Sequence, residues 1–308
     1  MSRTIYLDGA TGFVGGHVLR ALRKAGFAVR VLVNREKLPA DDPEVVSIPG
    51  GLFDKDAVRE AMRGCVAAIH LVGIIMEKPA KGVTFERIHA DGTRAVLAAA
   101  RELNVKRFVH MSALGTRANA VSRYHQSKWI GEEYVRLSGL DWTIFRPSMI
   151  HGPDGEFMQM AASWARKRKA PWLFMPYFGA GVVGTGQKRR IAPVYVEDVA
   201  SAFVRAIDTP ETIGKTIDLV GADTMTWPEM HQTIAQAVVG RGRWVMPIPA
   251  WYAKTIATLT PANLIPFNKA QVQMALEDNT GDASQMRELL EIEPRGFASA
   301  LAGYATEL

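Results

Sequence analysis

Tyr124 and Lys128 stand four residues apart in the run Tyr124-His125-Gln126-Ser127-Lys128-Trp129-Ile130-Gly131-Glu132-Glu133-Tyr134. On a helix that spacing places both side chains on one face. An ammonium beside a phenol favours tyrosinate, so the spacing predicts a Tyr124 pKa lowered toward working pH. Tyr124 would then pass a proton to or from a carbonyl, while Lys128 supports it and holds a ribose. A second set of residues suits a different task. Gly9-Ala10-Thr11-Gly12-Phe13-Val14-Gly15 follows a strand-like run and precedes a helical pattern at 16–24. Gly9 permits a tight strand-to-helix turn, Gly12 lets the backbone approach a pyrophosphate, and Gly15 allows close helix-on-strand packing. The helix N-terminus offers its free N–H groups to the anion.

The next strand-like run ends in Val33-Asn34-Arg35-Glu36-Lys37. A carboxylate at that strand end holds the ribose 2′-hydroxyl in NAD sites, whereas Arg35 can pair with a 2′-phosphate and stack on adenine. NADP(H) is therefore the preferred cofactor, and Glu36 keeps NAD(H) open.

These groups need a scaffold that brings them together. Strand-like runs at 3–7, 28–33, 45–48, 66–72, 106–112 and 142–145 alternate with helix-length segments. That alternation predicts an α/β fold with a doubly wound parallel sheet, a Rossmann core over residues 1–150. The Tyr124 segment follows the fifth strand and precedes the sixth, which sets it at the C-terminal edge of the sheet beside a nicotinamide. After Arg146-Pro147, residues 151–190 are dense in Gly, Pro, Trp and Met and read as an irregular substrate-side excursion. Residues 191–208 return to the core as a strand-like run and a helix. Residues 209–308 form a small, mostly helical C-terminal region, with helical spacing at 283–290 and 297–304.

At 308 residues and 48% hydrophobic, the chain can bury a full core without staples. Its one cysteine, Cys65, excludes an intramolecular disulfide and a multi-cysteine zinc site, and is expected as a buried thiol. No His pair has helical spacing, His70 and His110 sit in apolar runs, and no metal site is expected. Ser112, His125 and Asp198 do not make a hydrolase triad, because Ser112 lacks the Gly-x-Ser-x-Gly elbow. The net charge of +6 is concentrated at 166–169 and 188–190, without a nucleic-acid module, so no nucleic-acid partner is expected. No apolar stretch reaches the roughly 18 residues of a spanning helix, and the first residues leave no room for a secretory signal. A cytoplasmic location follows as the expectation. The segment 249–267 mixes aromatic, aliphatic and proline residues; it either packs in the C-terminal region or docks on a membrane-associated protein partner at the inner face of a membrane.

The order of motifs resembles the extended and atypical short-chain dehydrogenase/reductases over most of the chain. It comprises the glycine loop, Ile69-His70-Leu71-Val72-Gly73, Asp91-Gly92-Thr93, Met111-Ser112-Ala113, Tyr124 with Lys128, Arg146-Pro147-Ser148 and Pro193-Val194-Tyr195-Val196-Glu197-Asp198-Val199-Ala200. Ser112-Ala113-Leu114-Gly115, Ser127-Lys128-Trp129-Ile130-Gly131-Glu132 and the stretch 271–279 are similar to one atypical subgroup. That subgroup contains the nucleotide-binding alpha-subcomplex accessory subunit of respiratory complex I and its bacterial relatives. The resemblance implies a cofactor held by Gly9, Thr11, Gly12, Phe13, Val14, Gly15, Asn34, Arg35, Leu52, Tyr124 and Lys128. It also implies Val72 and Gly73 on the ribose side, Pro147 and Ser148 near the nicotinamide, and Ser112 beside Tyr124 and Lys128 as catalytic groups. The chain departs from the family at three places: Ala113 takes the catalytic serine position with Ser112 one place early, Gly51 takes that of an acidic adenine contact, and His89 that of an asparagine.

Three functions fit these residues. The first is an oxidoreductase or epimerase-like enzyme acting on a small carbonyl or sugar-like substrate. The second is a non-catalytic dinucleotide-binding subunit of a respiratory or membrane-associated complex. The third is a redox sensor that reports the NADP(H) ratio to a partner.

Overall fold

The computed structural model describes residues 3–34, 42–186, 189–260, 265 and 267–308; Arg35 and Lys188 lie outside the described residues. In chain order the strands are β1 (Thr4–Asp8), β2 (Ala28–Val33), β3 (Val45–Pro49), β4 (Ala67–His70), β5 (Arg107–Met111), β6 (Asp141–Pro147), β7 (Ile150–His151), β8 (Met175–Gly179), β9 (Arg190–Ile191), β10 (Val194–Tyr195), β11 (Lys215–Leu219), β12 (Met225–Thr226) and β13 (Val245–Pro249). The longer helices are α1 (Phe13–Lys24), α2 (Lys55–Met62), α3 (Gly92–Glu102), α4 (Arg123–Arg136), α5 (Glu156–Ala165), α6 (Val196–Ile207), α7 (Trp227–Val239) and α8 (Ala250–Leu259). Contacts divide the chain into two compact units.

The first unit comprises Met1–Pro147, Val196–Leu219 and Ser284–Glu293. Its described residues carry a seven-stranded parallel sheet in the order β11-β6-β5-β4-β1-β2-β3. β4 is buried along its whole length and β1 along nearly all of it, because helices cover both faces of a parallel sheet. On one face Tyr6, Val58, Met62, Val96, Phe108, Val135 and Ile144 join in one core. α1 and α6 turn Val18, Leu22, Val199 and Phe203 inward at helical spacing. Strand order reverses between β1 and β4, and in such sheets the crevice beyond the strands' C-terminal ends at that switch is the ligand site.

All six strand-like runs of the first 150 residues are strands, and the fold is the expected doubly wound sheet. Two details differ. The run 66–72 stops pairing at His70, because the backbone of Leu71 and Val72 is diverted onto a side chain described below. β11 was not marked by a β-branched run: Lys215-Thr216-Ile217-Asp218-Leu219 has two large apolar residues, enough for an edge strand whose alternate positions stay partly exposed.

The second unit comprises Ser148–Tyr195, Val220–Ala283 and Pro294–Leu308. Its core gathers Met158, Trp164, Met175, Met230, Ile234, Phe297 and Leu301 around α5 and α7. α7 starts at a full capping box, Thr226 with Glu229. The stretch expected to be irregular thus holds a helix and a strand, β8, which pairs in parallel with β13. Its Gly and Pro residues punctuate those elements without replacing them. No described helix is long and apolar enough to cross a membrane.

Candidate active site

Gly9 leaves β1 with φ +74°, a left-handed conformation that glycine adopts freely. A Cβ there would lie 3.2 Å from the Val72 amide nitrogen, so the turn is packed directly on the loop after β4. The Gly12 N–H closes the turn on the Gly9 carbonyl at 3.0 Å, and Gly12 is the N-cap of α1. No side chain caps that end and no acid occupies its first turn. A Cβ on Gly15 would stand 2.0 Å from the Gly9 carbonyl oxygen, so the helix start and the strand end touch backbone to backbone. The uncapped amides, with the positive end of the helix dipole, suit a diphosphate. Thr11 and Gly12 are exposed at the rim, with Phe13 and Val14 half-buried beside them.

The loop facing the glycines is held by Asp8, which is fully buried at the end of β1. One carboxylate oxygen accepts the Leu71 and Val72 N–H groups at 2.8 and 3.0 Å; the other meets His70 Nδ1 at 2.6 Å. His70 Nε2 reaches the Thr93 hydroxyl at 3.1 Å, which donates to the His89 carbonyl at 2.6 Å. Asp8→Ala strands two backbone donors and one imidazole in a dry site. The variant is expected to lose about 3–5 kcal/mol of stability in urea unfolding, with Asn retaining much of it because an amide oxygen still accepts. Equal stability of Asp8→Ala and the parent chain would remove Asp8 from this role.

α4 presents the Tyr124 and Lys128 pair. The Lys128 ammonium is buried and donates to the Met111 carbonyl at the end of β5, 3.0 Å away. A Cβ on Gly73 would lie 3.0 Å from Lys128 Nζ, so a side chain there would press on the ammonium. Burial pushes the Lys128 amine down to about 8, against the opposing pull of Glu132 and Asp8. The expected lowering of the phenol is not found: burial pushes Tyr124 up to about 12. Desolvation of the phenolate governs the phenol. Tyr124 therefore keeps its proton at neutral pH.

His89 completes this corner from a single π-helical turn over Glu86–Asp91. The Ile74 N–H donates to its Nε2 at 3.0 Å, which assigns the proton to Nδ1. Nδ1 donates to the Ser127 hydroxyl at 2.8 Å, and that hydroxyl donates to the Tyr124 carbonyl at 2.8 Å. Burial, with the Lys128 charge nearby, holds the imidazole well below its ordinary pKa. A neutral, fully bonded His89 pins the first turn of α4 to the Gly73 loop, and its ring packs edge-on to Tyr124 at 5.2 Å.

Contacts thus bring together Gly9 with Val72, Gly73 with Lys128, and Tyr124 with His89. Other predicted residues have other neighbours. The Ser112 N–H donates to the Phe145 carbonyl at 2.7 Å and its hydroxyl lies 3.4 Å from that of Thr116. Leu52 is buried in the core against Gly92, while Asn34 is exposed with its amide near Gly51. The Pro147 carbonyl accepts the Leu114 N–H at 2.9 Å. Ser148 belongs to the second unit, where its hydroxyl meets Asn279 Oδ1 at 2.5 Å. Arg146 of the Arg-Pro-Ser motif grips the fully buried Glu132 of α4 through two hydrogen bonds, 2.8 and 2.6 Å, tying β6 to the helix that carries Lys128. Burial raises the Cys65 thiol to about 12, as suits a core residue. Among the described residues no three His, Cys, Asp or Glu side chains gather to hold a metal ion.

Sequence reading missed Asp8, and held Thr93, Ser127 and Glu132 only as members of family motifs, without a role for any of them. The available signal was a charged or hydroxyl residue inside an otherwise apolar element; a lone acid closing an apolar strand is the clearest of them.

A family model described as NAD(P)H-binding matches residues 9–163, half of the chain. Ceramide reductase of Caulobacter vibrioides is 32% identical over 249 residues, covering 80% of this chain and 74% of that protein. The mitochondrial NADH dehydrogenase [ubiquinone] 1 alpha subcomplex subunit 9 of Rattus norvegicus is 29% identical over 220 residues, 69% of this chain. The match spans 55% of that subunit. Among solved structures, a short-chain dehydrogenase/reductase superfamily protein from Agrobacterium tumefaciens with bound NAD superposes with a TM-score of 0.72 at 20% identity, covering 99% of this chain and 97% of its own. UDP-glucose 4-epimerase from Thermotoga maritima does so with 0.74 at 18% identity, covering 99% and 98%. These two likenesses concern the fold. The chain belongs to the NAD(P)H-binding family and is an extended short-chain dehydrogenase/reductase-like protein.

Proposed function

We propose that this chain is an NADP(H)-preferring reductase of a carbonyl compound. The observation that carries the reading is the placement of the pair on α4, with the Lys128 ammonium against Gly73 and the Tyr124 ring against His89, in a state where burial keeps the proton on the phenol at neutral pH. That state suits donation of a proton to a developing alkoxide, the reductive direction. A reduced nicotinamide, when bound, would supply the hydride equivalent for the carbonyl carbon. Tyr124 gives its proton to the carbonyl oxygen and regains one from solvent, while Lys128 holds the ribose and offsets the charge left on the phenol. Gly9, Gly12 and Gly15 seat the diphosphate, Val72 and Gly73 line the ribose side, and Arg35 takes the 2′-phosphate. The name of the Caulobacter relative supports a long-chain lipid carbonyl as the substrate class.

Arg35 gives the direct test of cofactor choice. Titration of the purified chain with NADPH, NADP, NADH and NAD is expected to favour the phosphorylated pair. Arg35→Ala should weaken NADPH by roughly 10- to 100-fold, the worth of a charge-assisted phosphate contact, and leave NADH unchanged. Equal affinity of the parent chain for NADH and NADPH would overturn the NADP(H) preference.

A second reading, a dinucleotide-binding accessory subunit without turnover, rests on Ala113 at the serine position and on the Ser112 hydroxyl facing Thr116. The names of the mitochondrial relatives support it. Co-purification with a membrane complex, with NADPH bound and no turnover on long-chain ketones, would favour it over the reductase.

A further inference from the structure

Two segments of the second unit, 157–195 and 230–276, contain eleven Lys or Arg and no Asp or Glu. The rest of the chain holds all 31 acidic residues against 26 basic ones, so the excess positive charge resides in these two segments alone. They also carry a set of large, exposed apolar side chains. Trp172, Leu173, Trp244 and Met246 stand at the start of the β8–β13 ladder, and Val182, Val183, Trp251 and Tyr252 beyond its end; Val182, Trp244 and Leu173 are 81, 75 and 72% exposed.

The apolar tips are held in place. The Trp251 indole N–H donates to the Val182 carbonyl at 2.9 Å. The loop bearing Val182 turns back on itself, since a Cβ on Gly184 would meet Pro247 Cβ at 2.8 Å and one on Gly179 would meet the Gly184 carbonyl at 1.8 Å. At the other end the Met175 N–H donates to the Trp244 carbonyl at 2.7 Å, and Arg243 reaches the Ala165 carbonyl at 2.7 Å. That last bond joins Trp244 to the base of the basic run Arg166-Lys167-Arg168-Lys169. Five paired residues separate the two apolar ends by roughly 17 Å. A ladder lying flat sets both at one depth.

We infer that this face of the second unit docks on an anionic phospholipid bilayer, with tryptophan, leucine and valine entering the headgroup region and the basic run Arg166-Lys167-Arg168-Lys169 meeting lipid phosphates. Tryptophan is at home at that depth and Lys or Arg beside it favour negative headgroups. A nucleic acid would use the bases but has no use for an exposed Val182-Val183 tip. The inference does not rest on the reductase reading, and nucleotide binding reports on it separately.

The test is co-sedimentation of the full chain with vesicles of phosphatidylcholine containing about 30 mol % phosphatidylglycerol, with pure phosphatidylcholine as the comparison. Binding to the anionic vesicles, weakened by salt and accompanied by tryptophan quenching from brominated acyl chains, is expected. Each basic residue at such a surface is worth about fivefold in partition, so K167E/R168E should lower it by roughly 25-fold or more. V182S/V183S should also lower it, and both variants should bind NADPH as the parent does. No partition into the anionic vesicles, unchanged partition of both variants, or binding of a single-stranded oligonucleotide in place of the vesicles overturns the inference.

Discussion

Gly15→Ala is expected to abolish measurable dinucleotide binding. The added Cβ would sit 2.0 Å from the Gly9 carbonyl oxygen and 2.7 Å from Ala10 Cα. A methyl group has no rotamer through which to escape, so α1 must move away from β1 and carry the diphosphate-facing amides with it. A loss of at least ~100-fold in NADPH affinity follows, along with about 1–3 kcal/mol of stability from overpacking. Gly16→Ala on the same helix is the control, because its Cβ would meet nothing closer than 3.6 Å. Calorimetric titration of both variants decides the matter. Parent-like NADPH binding by Gly15→Ala would remove the glycine turn from the cofactor site.

The second large effect is expected at Tyr124. With a long-chain ketone substrate, Tyr124→Phe should reduce turnover by about 10²–10⁴ while leaving NADPH binding near the parent value. The pH profile separates the two members of the pair. Lys128 sits at about 8, so the contribution of its ammonium is full below that pH and fades as pH rises through it. Tyr124, pushed up to about 12, stays protonated throughout. Reductive kcat/KM should therefore fall above pH 8, and Lys128→Met should show low activity with that limb missing. Stability moves in the opposite sense. Lys128 titrates below its ordinary 10.5, so between about 8 and 10.5 the unfolded chain binds more protons and the folded state gains as pH rises. Above about pH 9 the Cys65 thiol, raised to about 12, contributes in the opposite sense, so the activity limb is separated from unfolding between pH 8 and 9. Parent-like turnover of Tyr124→Phe would refute the proton-donor role.

Much of the site was legible because its signals are local. The glycine turn needs only a strand, a tight turn and a helix start, all within Thr4–Asp8 and Phe13–Lys24. Tyr124 and Lys128 need only one helix and a four-residue spacing. The strands of the first 150 residues announced themselves by apolar runs because a parallel sheet buries both faces. β11 did not, since an edge strand has less to bury. The Asp8 clasp was out of reach for another reason: its partners are 62 to 64 residues away in the chain.

The protonation states show the same division. A tyrosine four residues before a lysine suggests a lowered phenol when only the pair is considered. In the folded chain burial desolvates both groups, so the phenol rises and the amine falls. His89 stands where the family carries an asparagine; in the fold it is a satisfied, neutral clamp.

Element types, their order and the class of cofactor came from short-range pattern, because backbone periodicity and turn chemistry act over a few residues. Which carboxylate holds the loop after β4, how α4 is braced by Glu132 and Arg146, and that Tyr124 and Lys128 both carry a proton at neutral pH came only with the folded chain. Those properties depend on burial and on hydrogen-bond partners that chain connectivity keeps far apart until the sheet has assembled.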